Sequence, residues 1–376
     1  MKLATYKDGS RDGQLVVVSR DLSLAHHATG IATRLQQVLD DWNFLSPQLE
    51  DLYATLNLGK ARHAFPFEPR QCMAPLPRCG QRVEAVAWLG HADRLARAAG
   101  HSLPDDALTR PRLLQAASDH ALGPCDDAWF GAEAWGIDPV AGLAVVTGDL
   151  AMGASPEQGL DAIRLLMLCN AWRLRSLPPA ADGPGAAALH DLHDQPVPAY
   201  APVAVTPDEL GEAWQHGRLA ARLALRCNGR RLGRLDTGAD QHLHFGQLLA
   251  HLSRTRDLRA GTVVFGGPVS QADDSAGTAC LAEARALAQL AGDRKPPGYL
   301  RFGDTVHIEL TGHDGESVFG AIAQRVVGPG MAKATAAAEA TAADADGDPA
   351  DAARSAEPAP STRAAGSAAP RAPTDG

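Results

Sequence analysis

His190, Asp191, His193 and Asp194 stand together in the segment H-D-L-H-D, where metal-ligating side chains crowd most closely in this sequence. Imidazole and carboxylate are ordinary ligands for zinc or manganese. In a Gly- and Pro-rich loop the same residues are more often merely solvated. His242 and His244 repeat the theme more weakly, and His244-Phe245-Gly246-Gln247 reads better as a packing or capping histidine. Arg173 and Arg175, two residues apart, offer cations either to an oxyanion or to solvent at a strand end. His91, in A-W-L-G-H-A-D, reads on its own as a helix-face histidine. Cys72, Cys79, Cys125, Cys169, Cys227 and Cys280 are scattered without CxxC spacing, which argues against zinc and against a disulfide framework.

The composition narrows the partners. A net charge of −9 and the lack of a basic run interleaved with aromatics argue against nucleic acid and anionic membranes. No apolar stretch approaches a membrane span, and Met1 to Gly9 lacks the apolar stretch of a secretory signal. A soluble, cytoplasmic, acidic protein is expected. Its 376 residues suffice for one large or two modest domains.

The elements that must position these side chains are readable in outline. Leu3–Lys7 and Gln14–Ser19 flank D-G-S-R-D-G as a hairpin. Ile31, Leu35, Val38, Leu39 and Trp42 follow helical spacing, and Ser46-Pro47 offers an N-cap for a second helix ending at Gly59. These make a small α+β N-terminal domain over residues 1–70, joined to the rest by the proline-rich stretch from Phe65 to Pro77. Over 71–330, Ala144–Thr147, Leu165–Cys169, Thr262–Phe265, Val306–Leu310 and Ser317–Val327 read as strands. Phe245–Arg256 is amphipathic. Ser155-Pro156-Glu157-Gln158 and Thr206-Pro207-Asp208-Glu209 read as capping boxes. Residues 331–376 are rich in Ala, Pro and Asp and too poor in large apolar groups to offset chain entropy, so a disordered tail is expected.

The stretch W-G-I-D-P-V-A-G-L-A-V-V-T-G-D, Trp135 to Asp149, resembles the metal-site strand of the fumarylacetoacetate hydrolase family. The resemblance runs over roughly residues 1–328. It is densest at K-L-A-T-Y-K-D-G-S-R-D-G-Q-L-V-V-V-S-R-D, Q-C-M-A-P-L-P-R and V-V-T-G-D-L-A-M-G-A-S-P-E-Q-G-L-D-A-I-R-L-L-M-L. It continues through A-P-V-A-V-T-P-D-E-L-G, H-F-G-Q-L-L-A-H-L and R-F-G-D-T-V-H-I-E-L. It implies a β-rich α+β fold, a mixed β-sandwich roll behind the small N-terminal domain, in a homodimer. It also implies hydrolysis of a carbon–carbon bond in β-dicarbonyl acids of the fumarylacetoacetate or acylpyruvate type, with magnesium, manganese or calcium holding the substrate.

By the same resemblance, His91 is the general base, Glu283 its orienting carboxylate and Arg175 the arginine for an oxyanion or substrate carboxylate. Glu84 stands at the first metal position, one methylene longer than the family's aspartate. At the other ligand positions stand Val140, Gly142 and Ala171, none of which can bind an ion. Gln195 falls near the position of the family's loop lysine, and Pro268 replaces a turn threonine. The resemblance therefore names a family and predicts a vestigial metal site with no bound cation. It leaves open a weakly active hydrolase, a non-catalytic binding or hetero-dimer partner, and a hydrolase with a relocated metal.

Overall fold

The sequence alternates apolar residues so that each central strand has two buried faces, and the fold follows from that. The computed structural model describes residues 1–177 and 193–331; the tail from 332, and His190 and Asp191 of the histidine loop, lie outside them. Met1–Pro329 forms one compact unit.

The chain opens with β1 (Lys2–Tyr6), β2 (Gln14–Val18) and β3 (Leu24–His27), then α1 (Leu35–Asp40), α2 (Trp42–Asn57) and β4 (Phe65–Pro66). Next come β5 (Arg82–Ala85), α3 (Leu89–Ala98), β6 (Leu113–Ala116), β7 (Ala128–Trp129), β8 (Ile137–Asp138) and β9 (Ala141–Thr147). After α4 (Pro156–Asp161) follow β10 (Ile163–Ala171), β11 (Arg173–Leu174), β12 (Pro198–Tyr200) and β13 (Val203–Val205). Then come β14 (Trp214–Gln215), β15 (Arg218–Leu219), β16 (Arg222–Cys227), β17 (Arg230–Asp236) and α5 (Phe245–Leu252). The last elements are β18 (Val263–Phe265), α6 (Leu281–Leu290), β19 (Thr305–Thr311) and β20 (Ile322–Val327).

One large sheet runs β4-β3-β2-β1-β13-β10-β9-β18-β5-β6, with β12 added beside β10. A second runs β17-β16-β19-β20-β7. Leu143 and Val145 of β9 and Leu166 and Leu168 of β10 face one way, into a core shared with Leu223, Leu225, Ile308 and Leu310 of the second sheet. Ala144, Val146, Leu165 and Met167 face the other way, into a core closed by Leu35, Val38, Leu39, Leu49 and Leu56 of α1 and α2. This period of two is the strand's own geometry. It gives the β-rich α+β, mixed-sheet architecture that the sequence predicts.

Several local readings change. The helix expected to start at Ser46 begins at Trp42 and carries Pro47 inside it. So near the helix start, Pro47 forfeits only the bond its missing N–H would have made to the Asn43 carbonyl. Ser155 does cap α4, accepting from the Gln158 N–H at 3.3 Å. Thr206 does not cap the turn after it, because its hydroxyl is taken by the Met1 amine at 2.5 Å. The last strand starts at Ile322 rather than Ser317, which makes only an isolated bridge to Thr311. His244 opens α5, its backbone N–H held by Gln247 Oε1 at 3.0 Å, in keeping with a capping position. Among the described residues no helix is long and apolar enough to cross a membrane.

Candidate active site

His91 lies on the first turn of α3 and Glu283 on the first turn of α6, and the two helices pack together. His91 Nδ1 sits 3.2 Å from Glu283 Oε2. The other glutamate oxygen accepts from Arg94 Nη1 and from the Ser270 hydroxyl, both at 2.6 Å. Arg94 continues outward to Asp274 at 2.5 Å. Burial alone would raise the Glu283 carboxyl; His91, Ser270 and Arg94 together hold it below the ordinary glutamate range. An ionised Glu283 accepts only, so Nδ1 carries the proton of this bond, which in the neutral imidazole leaves the lone pair on Nε2. That is the arrangement a general base requires.

Glu84 is the largest departure from expectation. Expected as the one carboxylate left at a vestigial metal site, it is 4% exposed on β5. Arg82, two residues earlier on the same strand face, donates to Oε1 at 2.6 Å. Arg173, opening β11, donates from Nη2 to Oε2 and from Nη1 to Asp194 Oδ1 at 2.7 Å. Burial pushes the Glu84 carboxyl up, but the two guanidinium groups outweigh it and hold it low. Both of its oxygens are therefore engaged by arginine.

The neighbouring positions are apolar. Val140 and Ala171 are buried with Phe265, Cys169 and Ala144 in the helix-side core, tied by the Ala171 N–H to the Val140 carbonyl at 2.8 Å. Asn170 turns its amide oxygen back to the Val140 N–H at 2.9 Å. Gly142 is walled in: a Cβ there would lie 2.2 Å from the Gly267 carbonyl oxygen and 2.9 Å from the Phe265 ring.

Arg175 is no solvated strand end. Its Nε donates to Asp138 Oδ2 at 3.0 Å, and its terminal nitrogens have no partner among the described residues. Asp138, fully buried, also accepts the N–H groups of Leu281 and Ala282 at 2.7 and 3.2 Å, capping α6 from outside it. The same carboxylate thus fixes both Arg175 and the helix carrying Glu283.

These side chains surround one pocket of about 440 Å³, which His91, Glu84, Val140, Arg173, Arg175 and Asp194 help to line. Arg110, Arg112 and Pro268 also border it. His91, Arg175 and Glu84 line this one pocket, with Glu283 against the His91 ring. Of the histidine loop, Asp194 is drawn to Arg173, Gln195 is buried and His193 is exposed.

Sequence reasoning missed Arg94, Arg82, Asp194 as an arginine partner, and Cys280. Two of these had a signal: Arg94 is three residues from His91 on one helix face, and Arg82 two from Glu84 on one strand face. Cys280 Sγ approaches His91 Nδ1 at 3.7 Å, and His91, Cys280 and Glu283 offer ligand atoms within 4.8 Å of one another. Burial pushes the Cys280 thiol well up. Among the described residues all six cysteines are free.

The chain matches two family profiles end to end: Fumarylacetoacetase N-terminal domain 2 over residues 1–78 and Fumarylacetoacetate (FAA) hydrolase C-terminal over residues 84–327. No curated protein matches it. Solved structures do, at an identity that supports the fold alone. A fumarylacetoacetate hydrolase from Exiguobacterium antarcticum is 18% identical, with TM-score 0.59, covering 87% of this chain and 99% of its own. The maleylpyruvate hydrolase of Sphingobium sp. SYK-6, solved with manganese(II) and pyruvate, is 16% identical at TM-score 0.58, with the same coverage. A 2-hydroxyhepta-2,4-diene-1,7-dioate isomerase from Mycobacterium marinum is 16% identical at 0.53, covering 88% and 99%. With the C-terminal profile spanning most of the chain, this protein belongs to the fumarylacetoacetate hydrolase family.

Proposed function

We propose that this chain is a family member in which a guanidinium has taken over from the divalent cation. On this reading it binds a small β-dicarbonyl or 2-oxo acid in the His91 pocket, with little or no metal-dependent hydrolysis. The observation that carries the reading is the double engagement of Glu84. A cation such as the manganese recorded with the Sphingobium enzyme needs oxygen ligands, and the one carboxylate left at the expected positions has given both oxygens to arginine. Val140, Gly142 and Ala171 add none. The residues present do not fit that ion, so no step is routed through it.

What remains suits an anion. Arg175 keeps two terminal nitrogens toward a carboxylate, the geometry in which guanidinium binds bidentately. His91 Nε2 keeps a lone pair beside it. Without a Lewis acid to take up the enolate formed on bond cleavage, several kcal/mol of transition-state stabilisation are missing. A deficit of ~4 kcal/mol slows a reaction about a thousandfold.

The test is acylpyruvate hydrolysis with manganese, with magnesium and with chelator, alongside calorimetric titration of pyruvate and oxalate. Binding that chelator leaves unchanged, together with turnover that neither metal stimulates, is the expected pair of results. Manganese-stimulated turnover at an ordinary enzymatic rate would overturn it.

One observation favours a second reading, a relocated metal: the grouping of His91, Cys280 and Glu283. Against it, Arg94 sits on the same glutamate, and a cation there would face that guanidinium. Zinc retained by the purified protein and lost on Cys280→Ser would select this reading.

A further inference from the structure

A pocket of about 780 Å³ lies apart from the one around His91 and shares no lining residue with it. Lys2 of β1 helps to line it. By the strand's alternation Lys2 shares the face of Ala4, which packs into the core between the sheets, whereas Leu3 points to the helices. A lysine is rarely placed so. Lys2 is 4% exposed. Its Nζ has one hydrogen-bond partner, the Ser317 carbonyl at 3.5 Å, and no carboxylate within ion-pair distance among the described residues. The Ser317 hydroxyl, buried in the same pocket wall, has no hydrogen-bond partner among the described residues.

The rest of the wall is mixed, with an aliphatic part made by Leu22, Leu24, Leu56, Leu210, Leu219 and Val318 and a polar part that includes Asn57 and His313. The acids around it are occupied or exposed. Glu209 holds Arg20 and the Tyr53 hydroxyl, each at 2.7 Å. Asp21 accepts from Ser19 and Ser23, and the exposed Asp314 accepts the Glu316 N–H. Four acids against Lys2 and Arg20 make the wall unwelcoming to an anionic ligand.

We propose that this pocket is a second site, which takes a small aldehyde or ketone with an apolar body and holds it as an imine on Lys2 Nζ. The Nζ lone pair adds to the carbonyl carbon, and a proton passes from nitrogen to oxygen to give a carbinolamine. The carbon–oxygen bond then breaks, water leaves and the C=N bond forms, with nothing oxidised or reduced. The Ser317 hydroxyl donates to the carbonyl oxygen as it gains charge. Burial favours the neutral amine that must attack, and pushes the Lys2 ammonium down against the opposing pull of Glu209.

The experiment is reductive trapping on the full chain with hexanal and cyanoborohydride, read by intact mass and peptide mapping. Lys7, Lys60 and Lys295 are exposed and serve as internal controls. The expected result is one hexyl adduct on Lys2, formed faster than on those three, because burial in the pocket wall favours the neutral amine that attacks. Lys2→Met abolishes it, Ser317→Ala slows it and Lys7→Met leaves it unchanged. Should Lys2→Met fail to fold, the peptide map of the unaltered protein decides alone. Labelling spread over the exposed lysines, or confined to the Met1 α-amine, overturns the proposal. So does hexanal or hexanoate binding there without an adduct.

Discussion

Glu84 and Arg173 form a buried ion pair between β5 and β11, with Arg82 engaging the second glutamate oxygen. Removing the acid leaves Arg82 with the Tyr200 hydroxyl and Arg173 with Asp194, each short of a carboxylate oxygen in a site almost closed to water. Breaking a buried pair in this way typically costs about 3–5 kcal/mol. Glu84→Gln is expected to lower the unfolding free energy by about that amount, as read by urea titration. A change under ~1 kcal/mol would mean that the pair is solvated and not the buried link described.

The pair also predicts acid sensitivity. Glu84 and Glu283 are both held below their ordinary value of 4.5. A folded-state pKa below the unfolded one gives stability that is complete above 4.5 and lost as pH falls through the lowered values. The melting temperature is therefore expected to fall steeply below about pH 4.5, with little change from there to neutrality. The double variant Glu84→Gln/Arg173→Met should lose part of that slope. An unchanged slope would assign the acid sensitivity to other carboxylates.

A metal titration addresses the guanidinium reading without an activity assay. Manganese or magnesium added to the chelator-treated protein is expected to leave the melting temperature unmoved. A ligand at 100 times its dissociation constant would raise stability by about 2.7 kcal/mol, which a scan would register. Saturable stabilisation by either ion would show that oxygen ligands exist beyond those at the expected positions.

The strands of the central sheet were legible because Leu143 to Val146 and Leu165 to Leu168 carry their two-faced burial in the order of their residues. Ser155 announced its helix because a cap is a local contact. Pro47 and Thr206 misled for the opposite reason: the first sits in a helix that began earlier, and the second spends its hydroxyl on Met1, far away in sequence. At the site, the pairing of His91 with Glu283, 192 residues apart, came through family resemblance and not through any local pattern. The missing carboxylates at Val140, Gly142 and Ala171 could be read directly. That arginine would fill the gap could not, because Arg173 meets Glu84 only when β11 is laid beside β8.

Restoring the family's ligands is therefore a harder task than three substitutions suggest. Gly142→Glu should fail first, since even Gly142→Ala puts a Cβ 2.2 Å from the Gly267 carbonyl oxygen, a backbone atom that cannot swing away. Overpacking of this kind costs about 1–3 kcal/mol and can cost more, so Gly142→Ala alone should visibly lower the melting temperature. Val140→Glu with Ala171→Asp avoids that clash but places two carboxylates in an apolar cluster beside Arg173, which would pair with them. Adding Arg173→Leu frees one Glu84 oxygen and removes the bond from Arg173 to Asp194. Manganese is then expected to raise the melting temperature of the triple variant Val140→Glu/Ala171→Asp/Arg173→Leu and to leave the double variant unmoved. If the double variant responds equally, Arg173 does not stand in for the cation. If neither responds while both stay folded, the block at Gly142 outweighs the arginine in excluding the ion.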